Sequence, residues 1–197
     1  MPIVDPSVYI PDPLAEEAAV KLLLRMMGEN PDRGGLLETP ARFIKALRFY
    51  TSGYQQHPED ILKVFDDGAE KYDQMIIQRD IPVMSHCEHH LAPFYGVAHI
   101  AYIPRKRIVG LSKLKRLTDV FARRLQVQER LTHQIGEALF TQLKPLGVGV
   151  VLECRHMCME MRGVQIPCSA TTTSALFGAL KDEPETRAEF MSLLARR

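Results

Sequence analysis

Five consecutive segments of the chain decide its fold: MIIQRDIPVM (75–84), GVAHIAYI (96–103), SKLKRLTDVFARR (112–124), VQERLTHQIGEALFTQL (127–143) and GVGVVLEC (147–154). The first two segments and the last are short apolar runs rich in β-branched residues, which is typical of strands. The two longer segments predict helices, since Leu131, Ile135 and Leu139 recur every four residues in the second of them. Strands on both sides of a helix pair, without regular alternation of strand and helix, favour an α+β fold with an antiparallel sheet.

Further elements are predicted on both sides of this region. Asp12 can cap, and Pro13 can begin, a helix over residues 14–27 that ends at Gly28, and a second helix begins at Thr39–Pro40. The remaining predicted elements are a short helix led by Pro58, a strand over residues 164–174 and a last helix opened by Pro184. We therefore expect an N-terminal helical region, residues 1–73, and an α+β domain, residues 74–197, that carries the chemistry.

The composition is that of an ordinary globular protein. The chain has 197 residues, of which 46% are hydrophobic and 25% charged, and its formal net charge is +1. These values exclude a disordered, collagen-like or coiled-coil chain, and no global field indicates a nucleic-acid partner. No apolar run approaches the roughly 20 residues that span a bilayer. The N-terminus has no secretory-signal pattern, so we expect a cytoplasmic protein.

The densest chemical cluster is SHCEHH, residues 85–90. Cys87 and His90 stand three apart, so on an extended strand they would point to opposite faces and can share a metal only if the chain turns there. A second cluster, residues 155–158, supplies Cys158. Together Cys87, His90 and Cys158 would make a Cys2His site, and three protein ligands with one open position are the arrangement of a catalytic zinc. Such a zinc lowers the pKa of bound water to near 7.

Two histidines beside this set have no ligand role and are candidate proton carriers. Histidine as a residue type titrates near physiological pH, so either His89 or His156 could shuttle protons in a reaction. The alternative is that they are structural, as isolated histidines usually are, and we interpret His57, His99 and His133 in that way. Cys154 and Cys168 are interpreted as small core residues.

A basic stretch runs from Arg105 to Arg130, with nine Lys and Arg residues against two acids. Ser112, Lys113 and Arg116 fall at a predicted helix N-terminus, where free N–H groups bind anions and where cations are unfavourable unless an anion is present. A phosphate ligand would resolve that conflict, although a solvated basic face is the alternative. Phe121 is the single aromatic residue of the stretch, so base stacking on a nucleic acid is poorly supported.

A carboxamide and a carboxylate stand together at Gln128 and Glu129. Such a pair can satisfy the N1–H, 2-amino and carbonyl groups of a guanine, in the way that polar side chains recognise base edges. The alternative for Glu129 is an ordinary solvent-exposed helix position.

Six stretches, in this order and spacing, closely resemble the zinc-dependent GTP cyclohydrolase I family. The resemblance extends over nearly all of residues 14–195, and the stretches read GENPDRGGLLETPARFIKA (28–46), SHCEHHLAPFYGVAHIAYIP (85–104), IVGLSKLKRL (108–117), RRLQVQERLT (123–132), HMCMEMRG (156–163) and SATTTSALFG (169–178). The resemblance implies the tunnelling (T-) fold, an antiparallel four-stranded sheet carrying two antiparallel helices after a helical N-terminal region. It also implies a homodecamer of two pentamers with active sites between subunits.

The resemblance further implies the reaction and its residues. GTP and water would give 7,8-dihydroneopterin triphosphate and formate, the first step of pterin and folate biosynthesis. Hydroxide activated by zinc would attack guanine C8, and imidazole ring opening, formate release and ribose rearrangement would follow. The implied roles are zinc ligands for Cys87, His90 and Cys158; catalysis for His89 and His156; guanine anchoring for Gln128 and Glu129; ribose and triphosphate binding for Ser112, Lys113, Arg116 and Arg162; and triphosphate binding across a subunit boundary for Arg42 and Lys45.

Several alternatives are weighed against this interpretation. A non-catalytic relative that binds zinc and guanine nucleotides is the main one, yet a structural zinc site has no need of His89, His156 and an anion pocket. Zinc nucleobase deaminases carry H-x-E with a distant P-C-x-x-C, and in this sequence Pro167-Cys168 lacks the second cysteine. The nitrile reductase of the same fold lacks the CEHH zinc site. Iron is an alternative metal, since a Cys2His set does not select zinc by affinity alone.

Overall fold

The computed structural model describes residues 12–62, 64–65 and 72–195. It divides into two compact units between Ser52 and Gly53. The expected division between residues 73 and 74 remains a prediction, and the N-terminal residues 1–11, on which the expected lack of a secretory signal mainly rests, lie outside the described residues. No described helix combines the length and the apolar character needed to cross a membrane.

The first unit contains two helices, α1 (Pro13–Met26) and α2 (Thr39–Tyr50). Asp12 caps α1 as predicted, because its Oδ1 accepts hydrogen bonds from the N–H groups of Leu14 (3.0 Å) and Ala15 (3.3 Å). Just beyond α1, Gly28 has a φ of +85°, a left-handed conformation that suits glycine after a helix end. An ion pair between Glu16 and Arg48 (2.7 Å) joins the two helices.

The second unit holds the remaining elements. A 3-10 turn (Ser52–Gln55) leads into it. The elements that follow are α3 (Pro58–Ile61), β1 (Val64–Phe65), β2 (Ile76–Cys87), β3 (Pro93–Ile103), β4 (Ile108–Val109), α4 (Leu111–Ala122), β5 (Leu125–Gln126), α5 (Gln128–Leu143), β6 (Gly147–His156), α6 (Met157–Glu160), β7 (Ala170–Gly178), α7 (Ala179–Asp182) and α8 (Pro184–Ala195).

Within the described residues, the main sheet has five strands in the order β5-β2-β3-β6-β7. The four long strands pair antiparallel, whereas β5 pairs in parallel with the end of β2. The α+β class is therefore confirmed, and the sheet is mixed. The expected strand over residues 164–174 is wrong in its first half, because β7 begins at Ala170. Gln165 and Cys168 have φ values of +50° and +61°, which a strand does not accommodate.

The core lies mainly between the sheet and the helix pair α4 and α5. Leu114 and Leu117 of α4 and Leu131 and Ile135 of α5 are fully buried in one cluster with the inward residues of β2, β3 and β6. On the opposite face, a second cluster includes Phe190 of α8. Alternate residues of a strand point to opposite faces, so β3 and β6 contribute to both clusters.

The sheet register places three strand ends side by side. Cys87 ends β2, Phe94 lies at the start of β3, and His156 ends β6. Phe94 is the direct cross-strand partner of both Ser85 and His156. Residues from the SHCEHH and HMC stretches therefore meet at one end of the sheet.

Candidate metal centre and catalytic site

A tight turn follows Cys87 and gathers the donors of the first cluster. The Cys87 N–H donates to the carbonyl of Ala92 (2.8 Å), and the Cys87 carbonyl accepts from the N–H groups of Leu91 (2.9 Å) and His90 (3.4 Å). Leu91 adopts a φ of +52° to complete the turn. The turn that metal sharing requires is thus present, and it lets residues three apart in sequence face the same side.

Cys87, His90 and Cys158 form a group able to hold a metal ion. Their ligand atoms all lie within 4.8 Å of one another, and Cys87 Sγ is 3.7 Å from His90 Nδ1. Cys158 enters from the first turn of α6, directly after β6. Two thiols and an imidazole suit a soft or borderline divalent ion such as zinc, so the donor set fits the expected group. Burial, and then the neighbouring Cys87 thiol, raise the pKa of Cys158, so a metal ion bound there would displace the thiol proton.

The other two cysteines lie outside this group. Cys154 is buried in the main core, and burial, with the nearby Glu153 charge, raises its pKa to about 12. Its prediction as a small core residue is confirmed. The same prediction for Cys168 is wrong, because Cys168 is exposed. It lies in the irregular segment before β7, where its positive φ keeps it out of the sheet.

An ion pair braces the bend that carries His156 and Cys158. Arg155 Nε and Nη2 donate to the two carboxylate oxygens of Glu160 at 2.8 and 2.5 Å. The hydrogen bond from Arg155 holds the pKa of Glu160 below its usual value. The central guanidinium carbon of Arg155 lies over the Tyr95 ring, 5.7 Å from the ring centroid. The Arg155–Glu160 ion pair thus spans the segment that carries His156 and Cys158.

His156 is fixed both in its ring plane and at its edge. Its ring stacks on Phe94 with centroids 4.8 Å apart and an interplanar angle of 11°. Its Nε2 lies 2.8 Å from Gln128 Oε1. Burial lowers the pKa of His156, and the charge of Glu129 opposes that shift. The imidazole is therefore held in one orientation next to the metal-capable group.

Gln128 is buried, and its side chain is bonded within the chain. Its amide nitrogen lies 3.2 Å from the Leu152 carbonyl, 2.9 Å from the Thr171 carbonyl and 3.0 Å from Thr173 Oγ1. Its amide oxygen meets His156. The side chain predicted to anchor guanine thus supports the histidine, whereas neighbouring Glu129 is exposed to solvent. Sequence reasoning missed Thr173 and Phe94, although SATTTS and HLAPF were both within the recognised stretches.

A second polar chain ties the SHCEHH turn to the start of α5. Glu88 forms an ion pair with Arg130, and Arg130 Nε donates to Gln126 Oε1 at 2.9 Å. Gln126 is buried and donates in turn to Gln134 Oε1 at 2.8 Å. The hydrogen bond from Arg130 lowers the pKa of Glu88. The alternating polar residues of QVQER, which are Gln126, Gln128 and Arg130, therefore bond to different elements of the fold. Their alternation is visible in the sequence, although it did not lead to this prediction.

His89 and Arg162 flank the same group. His89 is exposed, and its Nδ1 lies 3.8 Å from Cys87 Sγ. Arg162 Nη1 lies 3.4 Å from His90 Nε2. The structure thus places both beside the candidate ligands, in contact with solvent.

Three cations of the basic stretch are bonded to other groups of the protein. Arg124 donates to the carbonyls of Gly53 (3.1 Å), Val120 (2.9 Å) and Gln56 (3.2 Å). Lys115 and Arg123 both pair with Asp119.

Ser112, Lys113 and Arg116 lie at the start of α4 with Ser112 and Arg116 exposed. In the described part of the chain, no hydrogen bond or ion pair joins these three to the Cys87–His90–Cys158 group. Arg42 and Lys45 are exposed on α2 of the first unit, and Arg42 pairs with Glu38.

The fold and the site together define an α+β protein with three donors that could hold a metal ion, flanked by histidines, and three protein ligands are the arrangement of a catalytic metal site. A family model described as GTP cyclohydrolase I matches residues 16–195. The chain belongs to the GTP cyclohydrolase I family and is an enzyme of that family.

Curated relatives agree with this assignment. A GTP cyclohydrolase 1 from Janthinobacterium sp. (strain Marseille) is 59% identical over 171 residues, covering 87% of this chain and 86% of the relative. One from Synechococcus sp. (strain JA-3-3Ab) is 56% identical over 179 residues, covering 90% and 77%. One from Dictyostelium discoideum is 51% identical over 180 residues, covering 90% and 76%.

Proposed function

We propose that this chain converts GTP and water to 7,8-dihydroneopterin triphosphate and formate at a zinc centre held by Cys87, His90 and Cys158. The observation that carries the proposal is the convergence of these three donors within 4.8 Å, next to a histidine that is bonded and stacked in place. When bound, zinc lowers the pKa of a coordinated water, so that hydroxide is available near neutral pH.

His156 is the proposed proton carrier for guanine N7: its free ring nitrogen accepts a proton from the attacking water and passes it to N7 as the imidazole ring opens. Its Nε2 is occupied by Gln128, so the other ring nitrogen is the one left to exchange a proton with substrate. His89, which is exposed beside Cys87, is the proposed carrier for the later proton transfers of ribose opening and ring closure. Histidine suits both tasks because its pKa lies near the working pH.

Substrate recognition is divided between the guanine and the triphosphate. Because the polar atoms of Gln128 are bonded within the chain, we assign the N1–H and 2-amino donors of guanine to the Glu129 carboxylate. In this proposal Gln128 holds His156 in place and does not contact the guanine. Ser112, Lys113, Arg116 and Arg162 are proposed to hold the ribose and triphosphate, and Arg42 and Lys45 to reach the triphosphate from another subunit. Cationic groups of this kind hold the reacting carbon in place, which is catalysis by positioning.

The remaining proposals follow from family membership. We propose the T-fold architecture, with the four long antiparallel strands and the α4–α5 pair as its unit, and a homodecamer of two pentamers. Cytoplasmic location is proposed because the thiolate ligand set needs a reducing compartment.

The decisive experiment is a turnover assay of the full chain with GTP. Formate and the fluorescent pterin formed after oxidation are quantified in the zinc-loaded protein, after chelation, and after zinc is restored. We expect both products together, loss of both on chelation and recovery with zinc. The Cys158→Ser variant, which removes one thiolate, is expected to lose zinc and both products, whereas Cys168→Ser, a matched change at an exposed cysteine, keeps them. A zinc-loaded, folded protein that binds GTP without forming formate would establish the non-catalytic alternative.

A further inference from the structure

We propose that Thr173 is a positioning residue that acts through Gln128 to hold His156 as the tautomer protonated at Nε2. The inference rests on the proposed function, because it concerns the histidine to which that function assigns the first proton transfer. Thr173 lies on β7, outside the metal-ligand and histidine motifs, and no catalytic role was predicted for it.

The orientation of the Gln128 amide is the first step of the argument. Three acceptors surround one end of the amide: the carbonyls of Leu152 (3.2 Å) and Thr171 (2.9 Å) and the hydroxyl oxygen of Thr173 (3.0 Å). An amide NH2 has two hydrogens to donate, whereas the amide oxygen has none. The nitrogen must therefore face these acceptors, and the oxygen must face His156.

The direction of the hydroxyl hydrogen bonds is the second step. Thr132 Oγ1 donates to the backbone carbonyl of Gln128 at 2.7 Å, which uses its single hydrogen. Thr132 and Thr173 hydroxyls are 2.6 Å apart, so the hydrogen between them comes from Thr173. Thr173 Oγ1 then has no hydrogen left for Gln128 and accepts from it. Each hydroxyl hydrogen is used once, the two hydrogens of the Gln128 amide are shared among its three acceptors, and the chain ends on a backbone carbonyl.

The consequence falls on His156. An amide oxygen can only accept, so the ring nitrogen 2.8 Å from it must carry a hydrogen. A neutral imidazole has one N–H, and with Nε2 protonated its Nδ1 is left as the single basic nitrogen. Without the Thr173 hydroxyl, the two carbonyls still hold the amide nitrogen, but the amide plane can tilt about them, so that its oxygen no longer fixes the Nε2 hydrogen and the histidine can populate the other tautomer or a rotated ring. The acid–base step then slows although GTP and metal still bind.

The test compares Thr173→Val, which removes the hydroxyl at nearly constant shape, with Thr173→Ser, which keeps it. Thr173→Ala removes the hydroxyl without added methyl groups and repeats the test should valine disturb packing. The control is Thr172→Val, the same change at the neighbouring exposed position of β7. For Thr173→Val and Thr173→Ala we expect kcat for formate release to fall about tenfold, the lower end of the effect of removing outer hydrogen-bonding partners at metal sites. KM for GTP and zinc content should stay unchanged, and Thr173→Ser and Thr172→Val should match wild type.

A double-mutant cycle with His156→Ala separates positioning from general support of the fold. In single-turnover assays with enzyme in excess, Thr173→Val should have no further effect once His156 is absent, since residues acting as a unit are not additive. Wild-type kcat in both hydroxyl-free variants, failure of serine to rescue, or an equal loss in the His156→Ala background would each overturn the proposal. Failure of the proposed function is seen separately, as absence of formate from zinc-loaded wild-type protein.

Discussion

Replacing Gly96 with alanine should destabilise the sheet next to the candidate site. Gly96 lies opposite Cys154 in the β3–β6 ladder. A Cβ atom at Gly96 would stand 1.9 Å from the Glu153 carbonyl oxygen and 2.7 Å from Cys154 Cα, where ordinary contact begins at 3.4 Å. Both neighbours are backbone atoms, so no side-chain rotation relieves the clash. The strands must separate locally by about 1.5 Å, which combines an overpacking cost of about 1–3 kcal/mol with weakened ladder hydrogen bonds of about 1 kcal/mol each.

We therefore expect Gly96→Ala to lower the free energy of unfolding by about 3–5 kcal/mol. Equilibrium denaturant unfolding at fixed protein and zinc concentration measures it, since oligomers and bound metal shift apparent stability. Gly34→Ala is the matched control, because a Cβ there meets nothing within 4 Å and its φ is unremarkable. A Gly96→Ala protein whose unfolding free energy lies within about 0.5 kcal/mol of wild type would refute this account of the β3–β6 contact.

Three further predictions concern the site and its supports. Glu88→Gln, which removes the charge paired with Arg130, should weaken zinc binding about tenfold by loosening the turn, as read from competition with a chromogenic chelator. In the zinc-loaded protein at pH 8, Cys168 should be alkylated first and Cys154 should stay unmodified, because Cys154 is buried with a pKa of about 12; mass spectrometry of peptides after timed iodoacetamide treatment measures this. Glu160 has a lowered pKa in the folded state, so its contribution to stability is present above about pH 4.5, its ordinary value, and is lost as pH falls through the lowered pKa. The stability difference between wild type and Glu160→Gln should accordingly be present at pH 7 and disappear in acid unfolding titrations.

Each of these predictions has a control and a contrary result. Glu59→Gln changes an exposed acid on α3 and should leave zinc affinity unchanged; equal affinity in Glu88→Gln would show that the turn does not depend on the ion pair. Alkylation of Cys154 at the rate of Cys168 would contradict its burial. A Glu160→Gln difference that persists unchanged below the lowered pKa would show that the charge is not what stabilises the bend.

The sequence predicted the local features that depend on neighbouring residues. The Asp12 cap and the Pro13 start are readable because capping acts within one helical turn. The Cys87–His90 turn was predictable because two ligands three apart cannot share an ion on an extended strand. Cys158 was joined to them as a hypothesis, because it would complete the three-ligand arrangement of a catalytic zinc.

Features that depend on contacts between distant segments were not predictable. The strand Leu125–Gln126 is two residues long, and only its parallel pairing with the end of β2 defines it. The exposure of Cys168 accompanies positive φ angles at Gln165 and Cys168, two residue types that do not usually adopt them. From the sequence alone, the Gln128 amide could equally bind guanine or other groups of the protein, since both offer hydrogen-bond donors and acceptors. Thr173, which lies 45 residues further along the chain, decides between them only in the folded state.

The placement of Cys87 and Cys158 has a consequence for chain entropy. Cys87 ends β2 and Cys158 lies in α6, 71 positions further along the chain, and an ion held by both would close that loop. Loop-closure models assign a permanent cross-link of this length about 4 kcal/mol, acting by restricting the unfolded chain rather than by adding native contacts. A bound ion acts in the same sense while it remains attached. Metal supply during synthesis would then govern how much of the chain survives proteolysis, separately from how fast the finished enzyme turns over.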